Sequence, residues 1–210
     1  MSDDQIKEIL KNSKTIAMIG VSSEKKGESI EDSLRTFSSY VDLIVMRSPV
    51  RGLCDRIASL LDETHRSVPI INAGSGPDEH PTQALLDLYT LYRSFKNSDG
   101  LRKKTICMVG DLKRGRTVRS LSQLLSFYED THLIFCSPKP FQIEDDLRQL
   151  LLKSKNITFE ETENFQDSIG RSDSIYMTRV QDEYDDKSLE GVSISDYYLT
   201  VEHLKYLNMK

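Results

Sequence analysis

Five short apolar runs in this chain end in residues able to hold a small polar ligand. Their tails are Gly20-Val21-Ser22-Ser23, Arg47-Ser48-Pro49, Asn72-Ala73-Gly74, Gly110-Asp111-Leu112-Lys113 and Thr178-Arg179. Three of the five carry a cation at or close to the end of the run, and Arg116 and Arg119 follow just beyond the fourth. Arginine pairs bidentately with planar carboxylates and phosphates, so arginines gathered at one end of a fold suit small anions. Any one of these cations taken singly is as readily a solvated loop charge. The grouping, in a chain that is acidic overall, points to anionic small molecules.

Other chemistries lack their motifs. No Gly-x-Gly-x-x-Gly and no Gly-x-x-x-x-Gly-Lys-Ser/Thr is present, and Gly74-Ser75-Gly76 is not a nucleophile elbow. His65, His80, His132 and His203 show no metal-ligand pairing. Cys54, Cys107 and Cys136 are odd in number, far apart and without a Cys-x-x-Cys pair, which reads as reduced thiols in a cytoplasmic protein. Neither a metal nor a cofactor is expected.

The elements that must position these residues follow from hydrophobic period. Ser2 can cap a helix carrying Ile6, Ile9 and Leu10, and Thr15-Ile16-Ala17-Met18-Ile19 reads as a buried strand closed by Gly20. Ile30, Leu34 and Phe37 have helical spacing, Leu43-Ile44-Val45-Met46 is a second strand, and residues 53–61 a second connecting helix. Val68-Pro69-Ile70-Ile71 is a third strand, and Pro81 opens a helix with Ala84, Leu85, Leu88, Leu91 and Tyr92 inward. After the polar cluster Asn97-Ser98-Asp99-Gly100 the alternation restarts, with strands at 105–109, 132–136, 157–159 and 174–177 and helices around Val118 to Tyr128 and Ile143 to Leu151. The pattern predicts an α/β protein of two Rossmann-like lobes, residues 1–98 and 99–210, with mostly parallel sheets flanked by helices. Such sheets place ligands at the carboxyl ends of their strands, where the cations lie.

Composition narrows the partners. With 28 Lys+Arg against 33 Asp+Glu the net charge is −5, which disfavours broad nucleic-acid binding. No apolar run approaches the roughly 20 residues of a membrane span. The opening Met1-Ser2-Asp3-Asp4 lacks the basic-then-apolar layout of a secretory signal, so a cytoplasmic location is expected.

One constellation is more specific. Val68-Pro69-Ile70-Ile71-Asn72-Ala73-Gly74 runs into His80-Pro81-Thr82-Gln83-Ala84-Leu85-Leu86-Asp87-Leu88, which closely resembles the carbamoyl-phosphate-binding segment of aspartate carbamoyltransferase catalytic chains. Lys26-Gly27-Glu28-Ser29 resembles that family's mobile loop, and Val45-Met46-Arg47-Ser48-Pro49 its arginine-bearing strand end. Gly110-Asp111-Leu112-Lys113-Arg114-Gly115-Arg116-Thr117-Val118 and Tyr176-Met177-Thr178-Arg179-Val180-Gln181 resemble its aspartate-binding segments and favour the aspartate over the ornithine branch.

The resemblance implies transfer of a carbamoyl group from carbamoyl phosphate to L-aspartate, giving N-carbamoyl-L-aspartate and phosphate, an early step of pyrimidine synthesis. It implies that Arg47 and His80 hydrogen-bond the carbamoyl oxygen and that Gln83 holds the carbamoyl amide. Arg116, Arg179 and Gln181 would bind aspartate. Ser22 and Lys26 would belong to a loop that reaches into a neighbour's site in a homo-oligomer, a trimer by resemblance. Plainer roles stand beside these: a helix-start residue for His80, a surface charge for Arg179, a loop amide for Gln181 and a solvated turn for Lys26. Asp111 reads as structural, orienting a nearby arginine or capping a turn.

Departures from the family stand beside the matches. Its Ser-Thr-Arg-Thr-Arg helix-start motif and its His-Pro-Leu-Pro loop do not occur, Ser48 replaces a histidine, and Ser75 replaces an aspartate. The first twenty residues read as lying outside the family, and residues 3–19 have a helix-then-strand pattern loosely similar to the opening of a CoA-binding domain. The chain thus looks like the middle of a carbamoyltransferase with a rebuilt start and a truncated end. The alternative is a non-catalytic protein on the same fold, binding small anions or serving as an assembly partner.

Overall fold

A computed structural model describes residues 2–20, 29–76, 79–98, 100–179 and 197–207. Packing divides the chain into two units, Met1–Thr82 and Gln83–Lys210.

The first unit runs α1 (Asp3–Asn12), β1 (Ile16–Gly20), α2 (Ile30–Ser38), β2 (Leu43–Ser48), α3 (Leu53–Asp62) and β3 (Ile70–Ser75). Ser2 starts α1 with a capping box: its hydroxyl accepts from the Gln5 amide, and the Gln5 side chain accepts from the Ser2 backbone N–H. The strands form a parallel sheet in the order β1-β2-β3. Ile44 and Met46 share a face of β2 and bury against Leu34 of α2 and Leu53, Ile57 and Leu61 of α3.

Two sequence expectations need correction here. The apolar run 15–19 predicts a buried strand, yet β1 is an edge strand. Its Ala17 and Ile19 turn toward the core, whereas Met18 on the opposite face is 83% exposed. The apolar run 68–71 predicts a short third strand, but β3 extends to Ser75, because its ladder with β2 continues through Met46↔Asn72 and Ser48↔Ser75. Asn72-Ala73-Gly74 and Arg47-Ser48 are therefore strand residues rather than loop residues.

Asp42 fastens β1 to β2. Its Oδ2 accepts from the backbone N–H groups of Thr15 at 3.0 Å and Lys14 at 3.1 Å, and Arg66 lies against its other oxygen. The bond from Thr15, then that from Lys14, holds the Asp42 carboxyl below the usual carboxylate range. A lowered native value stabilises the fold above the unfolded carboxylate's range, and that stabilisation is lost as pH falls through the native value. Asp42→Asn is expected to lower the unfolding midpoint at pH 7, and the gap from the unaltered chain should close as pH drops below about 4, measured by denaturant titration across pH.

The second unit takes in α4 (Pro81–Ser94) from Gln83 onward, then β4 (Thr105–Val109), α5 (Arg116–Leu125), β5 (Thr131–Cys136), α6 (Asp145–Lys153), β6 (Ile157–Thr162), α7 (Phe165–Arg171) and β7 (Ser174–Met177). Short 3-10 turns lie at Lys139–Phe141 and Val201–Tyr206. The sheet is parallel throughout, in the order β6-β5-β4-β7. Its two faces bury different residues of the same strands. Ile106, Met108, Leu133 and Phe135 pack on α4, α5 and α6, while Cys107, Val109, Ile134 and Cys136 pack on Phe165 and Ile169 of α7. The three cysteines are buried free thiols. Cys136 beside it, together with burial, pushes the Cys107 thiol well up.

Ala84, Leu88 and Leu91 of α4 face this second core, whereas Leu85 and Tyr92, expected inward, are exposed. The inward residues follow the i, i+4, i+7 row of one helix face, and Leu85 falls off it. By packing, α4 counts with the second unit from Gln83 onward, and the polar cluster after Asn97 lies between α4 and β4 in the chain. Phe135 is fully buried and meets Phe159 edge-on at 6.0 Å. Phe135→Ala is expected to cost about 3–5 kcal/mol of stability, read from urea unfolding.

Candidate functional site

The second sheet has a topological switch point. From β4 the chain moves outward to β5 and β6, then returns to the other side of β4 as β7. Ligands of open parallel sheets bind outside the carboxyl ends of strands at such a reversal. The residues there are Gly110-Asp111 after β4 and Thr178-Arg179 after β7.

Close contact shapes this edge. Gly110 has φ +113°, and a Cβ on it would lie 2.5 Å from Thr178 Oγ1 and 2.6 Å from Thr178 O. Thr178 donates twice to the Val109 carbonyl, from its N–H at 2.8 Å and its hydroxyl at 3.0 Å. Ser137 Oγ donates to Gly110 O at 2.6 Å. Asp111 is fully buried and accepts from the Arg114 backbone N–H at 3.1 Å and from Arg114 Nε at 2.6 Å. It turns the loop toward α5, whose first residue is Arg116. Asp111 therefore has the structural role read from the sequence. Arg119 is a tie between helices, bonded to Asp146 at 2.9 Å and Glu144 at 3.3 Å. Arg116 is half-buried and Arg179 exposed.

A second cluster ties α4 to the same strand. Gln83 Nε2 donates to Asp87 Oδ1 at 2.9 Å, and the Tyr176 hydroxyl donates to Asp87 Oδ2 at 2.7 Å. Burial pushes the Tyr176 phenol up to about 12; the Thr117 hydroxyl counters this and the Asp87 carboxylate adds to it. Gln83 is thus joined through Asp87 and Tyr176 to Thr117, the neighbour of Arg116. Asp87 and Tyr176 fall within the sequence motifs but carry no role there. The i, i+4 spacing of Gln83 and Asp87 is the signal that could have found half of this cluster.

In the first unit, Arg47 is exposed near the carboxyl end of β2, level with Gly20 of β1. Its neighbour Ser48 pairs with Ser75, and Ser75 forms an antiparallel bridge with Glu79, the residue before His80. Arg47 and His80 therefore both attach to the carboxyl end of this sheet. Ser48 and Ser75 are buried: Ser48 Oγ accepts from Val50 N–H at 3.0 Å, and Ser48 O accepts from Gly76 N–H at 2.8 Å. His80 is half-buried, directly precedes α4, and has Nδ1 3.4 Å from Thr82 Oγ1. Ser22, Lys26 and Gln181 lie outside the described residues. Among the described residues, no group of three or more His, Cys, Asp or Glu is arranged to hold a metal ion.

Residues 4–93 match the family domain described as "Aspartate/ornithine carbamoyltransferase, carbamoyl-P binding domain". Residues 102–210 match "Aspartate/ornithine carbamoyltransferase, Asp/Orn binding domain". The chain belongs to the aspartate/ornithine carbamoyltransferase family. The first match begins at residue 4, so the opening helix and strand, read from the sequence as outside the family, fall within it. The chain is 44% identical over 178 residues to the aspartate carbamoyltransferase catalytic subunit of Finegoldia magna, covering 85% of this chain and 55% of that one. With the catalytic subunit of Methanocaldococcus jannaschii it is 44% identical over 169 residues, 80% of this chain and 52% of the other. It thus spans about half the length of these curated relatives. Among solved structures, aspartate transcarbamoylase from Trypanosoma cruzi in complex with carbamoyl phosphate superposes with TM-score 0.79 at 26% identity, over 94% of this chain and 70% of that one. The M. jannaschii catalytic subunit gives TM-score 0.70 at 32% identity, over 90% and 75%.

Gly110→Ala is expected to force β7 away from β4 at Thr178 and to cost about 1–3 kcal/mol, seen as a lowered thermal midpoint by circular dichroism. An unchanged midpoint would show that the strand end yields without cost.

Proposed function

We propose that this chain carries the aspartate carbamoyltransferase reaction, moving a carbamoyl group from carbamoyl phosphate to the amine of L-aspartate. What supports it most is the switch-point edge of the second sheet, where Thr178-Arg179 and the Arg116 helix start flank one strand end. A dicarboxylate is the substrate such an arginine pair suits. The relatives named above supply the reaction.

On this reading the neutral aspartate amine attacks the carbamoyl carbon, a tetrahedral oxyanion forms, and the carbon–oxygen bond to phosphate breaks as the departing phosphate takes the amine proton. Arg47 and His80 donate to the oxyanion, and Gln83 holds the carbamoyl NH2. Arg116, Arg179 and Gln181 hold the two aspartate carboxylates. Ser22 and Lys26 belong to a loop shared between subunits of a trimer. The reaction belongs to pyrimidine synthesis in the cytoplasm. No described helix is long and apolar enough to cross a membrane.

Calorimetric titration with carbamoyl phosphate, and separately with succinate, tests the binding half. Succinate is expected to bind, and Arg179→Ala to weaken it by about tenfold or more. A colorimetric assay of carbamoyl aspartate tests the chemistry. Arg47→Ala is expected to lower kcat by about 10²–10³, the usual loss of one aimed oxyanion donor. Binding of neither ligand, with no product, would overturn the reading.

A further inference from the structure

We propose that Asp87 and Tyr176 are positioning residues that fix which end of the Gln83 side-chain amide is offered to the substrate, and so select a ligand carrying an NH2 group. This rests on the carbamoyl-phosphate reading of Gln83 given above.

An ionised carboxylate only accepts hydrogen bonds. Asp87 Oδ1 takes Gln83 Nε2 at 2.9 Å, so the amide is held with its NH2 toward Asp87 and its carbonyl oxygen turned the other way. A flipped amide would set its carbonyl oxygen against a carboxylate oxygen, acceptor against acceptor. The choice of amide orientation is thereby made by the chemistry of the neighbour. A carbonyl oxygen presented to a ligand recognises a donor, which the carbamoyl NH2 is and a methyl group is not.

Tyr176 keeps Asp87 in this role. Its hydroxyl donates to Oδ2 at 2.7 Å, so each carboxylate oxygen has its own donor. The phenol sits on β7 level with Met108 of β4, on a strand rather than on a loop. Burial lifts the Tyr176 pKa to about 12, so it remains a donor at every physiological pH. Gln83 and Asp87 lie one turn apart on α4, whose Ala84 is fully buried in the second core. A rotamer-rich side chain is thus ordered before the ligand arrives, which lowers the cost of binding.

The test compares carbamoyl phosphate with acetyl phosphate, which replaces the NH2 by a methyl group of similar size. Affinities of the full chain for both, and for inorganic phosphate, are measured by calorimetry for the unaltered protein, Asp87→Asn and Tyr176→Phe. The side-chain amide that Asp87→Asn introduces can offer its own NH2 to the Gln83 carbonyl and so permits the flipped orientation. The unaltered chain is expected to prefer carbamoyl over acetyl phosphate by about tenfold or more. Asp87→Asn should reduce that ratio toward one, and Tyr176→Phe should reduce it by a few-fold, with phosphate affinity unchanged in both. A merely structural role would weaken all three ligands together or lower the thermal midpoint without changing the ratio. Should Asp87→Asn fail to fold, Tyr176→Phe, which keeps the ring packing, decides. Folded variants with an unaltered ratio overturn the positioning role alone. An unaltered chain that binds neither acyl phosphate overturns the carbamoyltransferase reading and the positioning role with it.

Discussion

The second unit depends on one close approach, that of Thr178 to Gly110. Two strands that are neighbours in the sheet but distant in sequence end at the same level, and there is no room for a side chain between them. Thr178 fastens to the last carbonyl of β4 through two donors, which fixes the end of β7 and the residue after it, Arg179. The same level of β4 leads into Asp111, whose buried carboxylate binds Arg114 and directs the loop to the start of α5 at Arg116. Two residues before Thr178, the Tyr176 phenol reaches Asp87 on α4. Arg116, Arg179 and Gln83 are therefore all placed by reference to a single strand pairing. A parallel pairing serves this purpose well, because it brings the carboxyl ends of both strands to one edge.

The first unit reaches a similar result by a different device. Its sheet has no reversal of strand order, since β1, β2 and β3 follow one another across it. Its carboxyl edge is instead shaped by buried serines. Ser48 pairs with Ser75, Ser75 bridges Glu79, and Gly76 at φ +55° turns the chain where a Cβ would meet Arg51 N at 2.9 Å and Pro49 O at 3.0 Å. Ser48 and Ser75, read from the sequence as replacing a histidine and an aspartate, are thus engaged in holding the loop. A buried hydroxyl that bonds backbone is a fitting occupant of such a place, since a charged group there would need a partner.

Much of this was legible in the sequence, for a physical reason. Strands buried on both faces are continuous apolar runs, so β4 and β5 could be bounded closely from Thr105-Ile106-Cys107-Met108-Val109 and Leu133-Ile134-Phe135-Cys136. The same criterion misjudged β1, because an apolar run does not say whether a strand lies in the middle of a sheet or at its edge. It also cut β3 short, because Asn72-Ala73-Gly74 look like a loop until a neighbouring strand supplies their ladder partners. The seven-residue helix α7 went unread; its Asn164 cap is visible, but the apolar pair Phe165 and Ile169 is too short a period to argue from. At the candidate site, the positions of Arg47, Arg116 and Arg179 at strand and helix ends were readable from the strand–helix alternation. The Tyr176–Asp87 bond was not, because 89 residues separate its partners and only the packed sheet brings them together.

Several arginines near the ligand edge serve the fold. Arg114 and Arg119 satisfy the sequence criterion of a cation close to a strand end, yet the fold pairs the first with buried Asp111 and the second with the acidic start of α6. Arg148 and Arg171 are likewise paired, with Glu161 and Asp145 and with Glu160 and Asp167. Their acidic partners lie on the same helix or on a neighbouring loop, helix or strand, and they join elements rather than face an edge. Breaking the Arg114–Asp111 pair would leave a carboxylate with no exposure to water, which is far costlier than losing a surface pair. Asp111, Glu144, Asp145, Asp146, Glu160, Glu161 and Asp167 are in this way committed to arginines that join elements of the second unit. Net charge alone does not show that arrangement, because it counts charges without saying which of them the fold brings together.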